Sequence, residues 1–240
     1  MQILVESFNA DPNQKDALGR SPLSYLAERH IHETSSKKRQ ELEDAIHMLA
    51  DYDANLEQKD RYGNTVLMQC VQEANLCLIQ ILASHFAVET QTQNRWGEDA
   101  LTIALNNLQS DNPDEVAKYC EIVEYLAQVV DTDTLKTKLV DQVLKENEKA
   151  CKLLLEIGKF SIDEIIDDVG NTLLLNSARL GKIEQVKMLL KLGANVHFTN
   201  HEGKNAFFYA QEKLKDFRRT GIDWLSISRF LAQYMAIHPL

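Results

Sequence analysis

The chain has 240 residues, 44% of them apolar, so it can bury a substantial core as one or two domains. Its formal net charge of -10, from 26 basic and 36 acidic side chains, repels a phosphate backbone and argues against general nucleic-acid binding. No apolar run reaches the roughly 18 residues of a membrane span, and the start MQILVESFNADPNQ lacks the basic end and apolar core of a secretory signal. We therefore expect a cytosolic protein without membrane contact.

The composition favours helices and gives no sign of a metal or redox centre. Only 9 glycines and 4 prolines accompany many Leu, Ala, Glu, Lys and Gln residues, which lose little rotamer freedom in a helix. The 4 cysteines form no CxxC pair and have no spaced histidine pair beside them. We expect reduced, packed thiols at Cys70, Cys77, Cys120 and Cys151.

Six short segments along the chain share one pattern. In chain order they are DALGRSPLSYLA (16–27), DRYGNTVLMQCV (60–71), NRWGEDALTIAL (94–105), TDTLKTKLVDQV (132–143), DDVGNTLLLNSA (167–178) and NHEGKNAFFYAQ (200–211). Five have glycine at their fourth position, and these glycines are spaced by 44, 34, 73 and 33 residues. In the fourth segment Leu135 replaces the glycine, which makes it a degenerate copy. A period of this size predicts a repeat architecture.

Each segment predicts the start of a helix. Glycine allows the positive φ of a tight turn, and two residues later stands a side chain whose oxygen can accept an unpaired N–H of a first helical turn. The predicted caps are Ser21, Thr65, Asp99, Thr137, Thr172 and Asn205. Pro22 suits the first helical position. Two residues beyond each cap we predict one core ladder, formed by Leu23, Leu67, Leu101, Leu139, Leu174 and Phe207.

A second apolar run follows each first helix, with the three- and four-residue spacing of one helical face. These runs lie within 45–49, 79–82, 122–126, 151–155 and 186–190. The element Gly193-Ala194-Asn195-Val196 follows the last run, and 9–12 and 53–56 are weaker copies of it. One helix pair cannot bury its own apolar face, so the pair must recur for a core to exist.

The repeated unit resembles the ankyrin repeat, whose core has a G-x-T-P-L-H-x-A pattern. The strongest match is DDVGNTLLLNSARLGKIEQVKMLLKLGANVH, 167–197. The resemblance covers about residues 3 to 235 and implies an all-α ankyrin-repeat solenoid of about six helix-turn-helix repeats, joined by β-turn or hairpin loops. The histidine of that pattern, which ties neighbouring turns together, is absent here; its positions hold Ser24, Met68, Thr102, Leu175 and Phe208.

We predict a single domain, 1–240, with degenerate ends and three insertions. Its repeats are 1–15 (a partial N-terminal repeat), 16–59, 60–93, 94–131, 132–166 (degenerate), 167–199 and 200–240 (a C-terminal cap). The insertions are 30–40, 106–116 and 212–223, each between a first and a second helix, on the edge opposite the turns. Neutral drift and a second contact surface both remain open for them, because longer loops cost little stability.

The residues give no sign of catalysis. The sequence lacks P-loop, GxGxxG, GxSxG and HExxH patterns. His30-x-His32-Glu33 has no evident third ligand, and we interpret it as a solvated loop and not as a metal site. We therefore expect a protein that is not an enzyme and that holds no cofactor or metal.

A recognition face is better supported. Arg61-Tyr62 and Arg95-Trp96 occupy the same positions of adjacent repeats, and we call these four residues the anchor cluster. Arg, Tyr and Trp are enriched in binding hot spots. The alternative interpretation is that the two rings only cover the adjacent turns. The full predicted surface comprises Arg61, Tyr62, Asn64, Gln72, Glu73, Arg95, Trp96, Glu98, Asn106, Asn107, Asp168, Val169, Arg179, Leu180, His201 and Glu202.

These observations predict a non-catalytic, monomeric module that binds a partner protein through the concave face formed by turns and first helices. Arginines there indicate an acidic or phosphorylated partner segment. The alternative is the targeting domain of a larger enzyme, or of an effector that a bacterium secretes into a host cytosol. Sequence outside the 240 residues would separate these hypotheses.

Overall fold

The structure, a computed structural model, describes residues 10–17, 19–86, 88–214 and 223–239. Within these residues the chain forms twelve helices, and the only β pairing is an isolated antiparallel bridge between Ile165 and Thr172. The all-α prediction is confirmed. No helix in the described ranges is both long enough and apolar enough to cross a bilayer.

The helices divide between two compact units, residues 1–131 and 132–240. In the first unit they are α1 (Pro22–His32), α2 (Ser36–Asp51), α3 (Val66–Gln72), α4 (Leu76–His85), α5 (Ala100–Asn107) and α6 (Pro113–Ala127). In the second they are α7 (Thr132–Leu144), α8 (Glu148–Gly158), α9 (Leu173–Leu180), α10 (Ile183–Lys191), α11 (Ala206–Leu214) and α12 (Trp224–Ile237). Each odd-numbered helix packs against the even-numbered helix that follows it. The first helices also pack in series, α1 on α3 and α3 on α5 in the first unit, and α9 on α11 in the second.

Five of the six predicted caps are confirmed. The side chains of Ser21, Thr65, Asp99, Thr172 and Asn205 each accept a main-chain N–H of the first turn that follows. Thr137 is not a cap, because α7 already begins at Thr132 and Thr137 donates its hydroxyl to the Asp133 carbonyl one turn back. Leu135 is a buried residue of this helix, so the fourth segment contains no turn.

Each of the five remaining segments forms a tight turn around its glycine, which we call a finger: 16–20 (without residue 18, which is not described), 60–64, 94–98, 167–171 and 200–204. Gly63, at φ +83°, shows why glycine stands there, since L side chains rarely adopt this conformation. A finger is closed by one acidic or amide residue three positions before the glycine. In the second finger Asp60 Oδ1 accepts the N–H groups of Tyr62 and Asn64, at 2.8 and 2.9 Å.

Neighbouring fingers of the first unit are tied together. Arg95 N donates to the Tyr62 carbonyl at 3.2 Å, and the buried amide of Asn94 donates to Asn64 Oδ1 at 3.1 Å. Lys15 Nζ donates to the carbonyl of Lys59, and Lys59 Nζ repeats this bond to the carbonyl of Gln93, both at 2.8 Å.

The second unit repeats two of these ties. His201 N donates to the Val169 carbonyl at 3.0 Å, and Asn200 Nδ2 donates to Asn171 Oδ1, also at 3.0 Å. The tie that the absent histidine would have supplied is thus made by buried asparagines and the main chain. A Gly170 Cβ would come within 2.7 Å of the His201 ring, so this glycine also permits the close approach of the next finger.

The predicted core ladder is confirmed in part. Its five leucines are buried within their own units, whereas Phe207 is only half-buried. Behind them the second helices contribute apolar residues at the predicted spacing, such as Ile46 and Leu49 in α2 and Leu153 and Leu154 in α8.

The predicted insertions are largely helical. Of 30–40, only 33–35 lies between α1 and α2, because the charged sequence forms the exposed face of a longer helix. Of 106–116, only 108–112 lies between α5 and α6. Most of 212–223 lies outside the described residues, as do Asn9 of the first turn copy and most of the partial repeat 1–15.

Candidate functional site

The anchor cluster is brought together by two adjacent fingers. The rings of Tyr62 and Trp96 stack with centroids 5.9 Å apart and an interplanar angle of 23°. The Arg61 guanidinium lies over the Tyr62 ring, 4.6 Å from its centroid. The Tyr62 carbonyl accepts the Arg95 N–H, so the main chain fixes the register of the two aromatic rings. The distance between the two ring centroids lies within the range of favourable aromatic pairs.

The cluster faces solvent. Tyr62 is 43% exposed and Trp96 is 62% exposed, so both rings keep solvent-accessible area beyond what covers the adjacent turn. Among the described residues, neither Arg61 nor Arg95 forms an ion pair with a carboxylate. Two guanidinium groups therefore present free donors beside an exposed aromatic surface.

A cavity of about 420 Å³ opens beside Tyr62, between α1 and α3. Arg20 lies on its wall and is already held by Asp16 and Glu28, at 2.8 and 2.7 Å. The hydrogen bond that Arg20 donates to Asp16 raises the pKa of this guanidinium, which keeps it charged and paired. Arg61 is thus the cation in the cavity wall that remains available to a ligand.

The other predicted residues of the first unit differ in availability. Asn64 is buried and accepts from Asn94, so its side chain is not part of the exposed face. Glu98 accepts the amides of Asn94 and Asn106 at 3.3 and 2.9 Å, and Asn107 donates to a carbonyl of its own helix. These contacts order the end of α5 next to the anchor cluster.

Gln72 and Glu73 lie exposed at the end of α3 and line the cavity. Tyr119 of α6 donates its hydroxyl to the Gln72 carbonyl at 2.9 Å, which fixes this helix end. Both residues therefore lie near the anchor cluster, as the repeat pattern predicts.

The six residues predicted in the second unit form a separate exposed group. Asp168 and Val169 lie on one finger, and His201 and Glu202 on the next, joined by the main-chain bond from His201 to Val169. At the end of α9 are Arg179, which donates to Asn176 at 2.8 Å, and the exposed Leu180.

His30, interpreted from the sequence as part of a solvated loop, is instead a buried residue of α1. Its Nε2 lies 3.0 Å from Glu43 Oε1. Asn75 caps α4 by accepting the Leu78 N–H on its Oδ1, so its Nδ2 is the group that donates to His30 Nδ1, at 3.0 Å. His30 therefore carries its proton on Nε2 and donates it to Glu43.

Among the described residues, His30, Glu43 and Cys77 form the one group with the composition of a metal site, which the sequence reading missed. A metal bound at Nε2 would shift the ring proton to Nδ1, where Asn75 already presents a donor. The group is better explained as a hydrogen-bonded link between α1, α2 and α4.

Three of the four cysteines, Cys70, Cys77 and Cys151, lack the raised thiolate fraction of a nucleophile. Burial raises the pKa of the Cys70 thiol, and it raises the pKa of Cys151 to about 12. The pKa of Cys77 is also raised, by desolvation and then by the Glu43 carboxylate. A catalytic thiol needs the opposite shift, because the thiolate is the reactive form.

Comparison with known proteins identifies the repeat. The ankyrin repeat family matches residues 169–201, which contain α9 and α10. No curated protein matches the chain. The crystal structure of the ankyrin repeat domain of Bcl-3, a member of the IkappaB protein family, is similar over 94% of this chain and 89% of that chain, with 16% identity and a TM-score of 0.55. The chain has the ankyrin-repeat fold.

Two other solved structures match this chain with lower TM-scores. EF0377, an ankyrin repeat protein, has 22% identity over 88% of this chain and 96% of its own, with a TM-score of 0.48. The structure of the predatory endopeptidase Bd0816 from Bdellovibrio bacteriovorus in complex with the immunity protein Bd3460 gives 20% identity, coverage of 92% and 99%, and a TM-score of 0.46. Neither similarity is close enough to bear on function.

The sequence analysis missed the residue that closes each finger of this chain. An Asp or Asn stands three positions before every finger glycine and accepts main-chain N–H groups. These residues are Asp16, Asp60, Asn94, Asp167 and Asn200. The sequence contains the signal, because Asp or Asn recurs at one position of five internal copies.

Proposed function

We propose that this chain is a non-catalytic module that binds a partner protein through the anchor cluster. The observation that carries the proposal is the exposed Tyr62–Trp96 stack beside two guanidinium groups that have no carboxylate partner among the described residues. Such aromatic and arginine side chains supply most of the free energy at protein interfaces, since they bury large area and offer directional donors.

The same geometry supports a partner segment that is acidic or phosphorylated. A carboxylate or phosphate group can accept two parallel N–H bonds from one guanidinium group. An apolar or aromatic side chain next to that group would stack on Trp96 or enter the cavity beside Tyr62. The neighbouring fingers hold both arginines at fixed spacing, which reduces the ordering cost of binding.

A monomer in a cytosol is the setting we propose for this interaction. The alternative role, as targeting domain of a larger enzyme or of a secreted effector, also stays a prediction, and no feature of the described residues favours it over a free-standing module.

Selection of short random peptides displayed on phage tests the proposal. Enriched peptides are synthesised and titrated against the wild type, including versions with phosphoserine at acidic positions. We expect Asp, Glu or phosphoserine beside an apolar residue, and an affinity loss of at least about tenfold in the Arg95→Glu, Trp96→Ala double variant. Phe208→Ala, which removes a similarly exposed ring from the second unit, is the matched control and retains binding.

Exchanging the charges of the peptide and of the two arginines tests the same site independently. Peptides whose acidic residues are replaced by lysine should bind Arg61→Glu, Arg95→Glu better than they bind the wild type. Equal affinity of the selected peptides for wild type and anchor variant, with both showing the same helical circular dichroism, contradicts the proposed site.

A further inference from the structure

The second unit contains a groove where one finger is missing. Because α7 is helical through residues 132–144, its repeat has no finger to pack against the finger at 167–171. A cavity of about 220 Å³ lies there, between α7 and residues 160–166. We call it the aliphatic groove. Its volume is larger than that of a core cavity of about 150 Å³, which is enough to hold a benzene molecule.

The lining of the aliphatic groove is apolar and partly open to solvent. Leu139 and Val140 of α7 face Phe160 and Ile162 across it. Ile165 and Ile166 also line it and are 52% and 39% exposed. Two adjacent exposed isoleucines on a single edge are an unsatisfied apolar surface, which marks a binding site more often than a single exposed residue does.

The main chain of this finger also has an open edge. In the other tied pairs the residue two before the glycine donates its N–H to the preceding finger, as Arg95 and His201 do. Asp168 holds that position here, and its N–H has no hydrogen-bond partner among the described residues. A carbonyl of an extended segment could take the place of the missing finger's carbonyl.

The surroundings of the groove are acidic. Asp163, Glu164, Asp167 and Asp168 lie within six residues, and Lys136 pairs with Glu164 at 2.8 Å on the rim. Among the described residues, no lysine or arginine other than Lys136 forms an ion pair with these four carboxylates. A segment with lysine or arginine beside its apolar residue is the complementary ligand.

We propose that the aliphatic groove binds an extended segment of a partner protein, in which aliphatic residues are flanked by lysine or arginine. The segment lies along the finger at 167–171, packs its aliphatic side chain on Ile165 and Ile166, and accepts the Asp168 N–H. This site is separate from the anchor cluster, which we propose for an acidic segment, so the two sites differ in the sign of the charge that they select.

The test uses short random peptides displayed on phage and selected on the full chain that carries Arg95→Glu and Trp96→Ala, which disables the anchor cluster. We expect enriched peptides with aliphatic residues next to Lys or Arg. In titrations with the synthesised peptides, Ile165→Ser with Ile166→Ser lowers the affinity at least about tenfold. Leu144→Ser, which removes an aliphatic side chain that is 60% exposed in the same unit, leaves it unchanged.

Two variants of Asp168 separate charge from main-chain recognition. Asp168→Asn removes only the charge and weakens binding most at low salt. Asp168→Pro removes the charge and the N–H together, at a turn position that accepts proline, and weakens binding further at every salt concentration.

Three results overturn the proposal. The first is a selection without enriched peptides, and the second is enriched peptides that bind the Ile165→Ser, Ile166→Ser variant as well as its parent. The third is sedimentation that shows a self-associated parent and a monomeric isoleucine variant, which would make a second copy the occupant. None of these results affects the proposal for the anchor cluster, because that proposal is tested by peptide binding to the wild type, in which Arg95 and Trp96 are intact.

Discussion

Asp167 holds its finger by accepting hydrogen bonds, and its protonation state matters for stability. Burial alone would raise the pKa of this carboxyl, but bonds from the Asn171 side chain and the N–H groups of Asn171 and Val169 lower it below the ordinary 3.8. We expect Asp167→Ala to lower the free energy of unfolding by about 2 kcal/mol at neutral pH. Urea denaturation of both proteins measures this difference.

The pH dependence of that difference has a defined sign. A lowered pKa in the folded state stabilises the fold above the pKa of the unfolded chain, and this contribution disappears as the pH falls through the folded value. The gap between wild type and Asp167→Ala therefore narrows below about pH 4. Asp168→Ala, which removes a neighbouring exposed carboxylate, should change stability by less than about 0.5 kcal/mol. A gap that stays constant with pH contradicts the assignment.

Alanine substitutions at two glycines distinguish the cost of backbone strain from the cost of a steric contact with the next finger. Gly170 and Gly203 have φ of +84° and +72°, but an added Cβ meets the His201 ring at Gly170 and nothing within 4 Å at Gly203. We expect Gly203→Ala to cost about 1 kcal/mol of folding free energy from strain, and Gly170→Ala to cost more because the ring must move. Thermal unfolding of the two variants measures this, and equal losses would show that finger contact adds nothing.

Threonine at a helix start and threonine inside a helix give opposite predictions. Thr172 caps α9, whereas Thr137 is an exposed residue within α7. Thr172→Ala should cost about 1 kcal/mol through the lost cap, and Thr137→Ala should be neutral or slightly stabilising, since alanine has the higher helix propensity. The urea midpoints of the two variants measure these stability changes. A large loss of stability in Thr137→Ala would contradict the placement of Thr137 inside a helix and support the turn predicted from the sequence.

At the level of elements, the sequence predicts what glycine and proline determine locally. Gly19 followed by Ser21 and Pro22 permits few conformations besides a turn and a helix start. Without the glycine, Thr137 is compatible with a cap or with a back bond to its own helix, so the sequence leaves the choice to packing. Residues 36–40 are polar enough for a loop, and they are helical because they extend a helix whose later residues Ile46 and Leu49 are buried.

The candidate sites were predictable to different degrees. The Arg61 and Arg95 positions follow from the repeat register, so the sequence places both on neighbouring fingers. The stacking of Tyr62 on Trp96 depends on the contact between the fingers, which no local pattern determines. Ile165 and Ile166 have the composition of core residues, and their exposure follows from a missing finger about thirty positions earlier.

At the scale of the whole molecule, the buried thiols report on the integrity of both units. Cys70 lies in the first unit and Cys151 in the second, and burial raises the pKa of each. With Cys77 and Cys120 replaced by serine, neither thiol should react with a maleimide at neutral pH until urea unfolds its unit. Mass spectrometry after brief labelling locates the modified residue. Rapid modification of Cys151 without urea contradicts the buried site.

The main-chain bond between fingers makes the length of the first unit adjustable. Arg95 N donates to the Tyr62 carbonyl, and such a bond needs no particular side chain. In a tandem duplicate of residues 60–93, Arg61 of the second copy holds the position of Arg95 and offers its N–H to Tyr62 of the first copy, whereas Gln93 stands where Lys59 donates in the present chain. Gene duplication can therefore lengthen this face one module at a time, with the new junction held by the backbone.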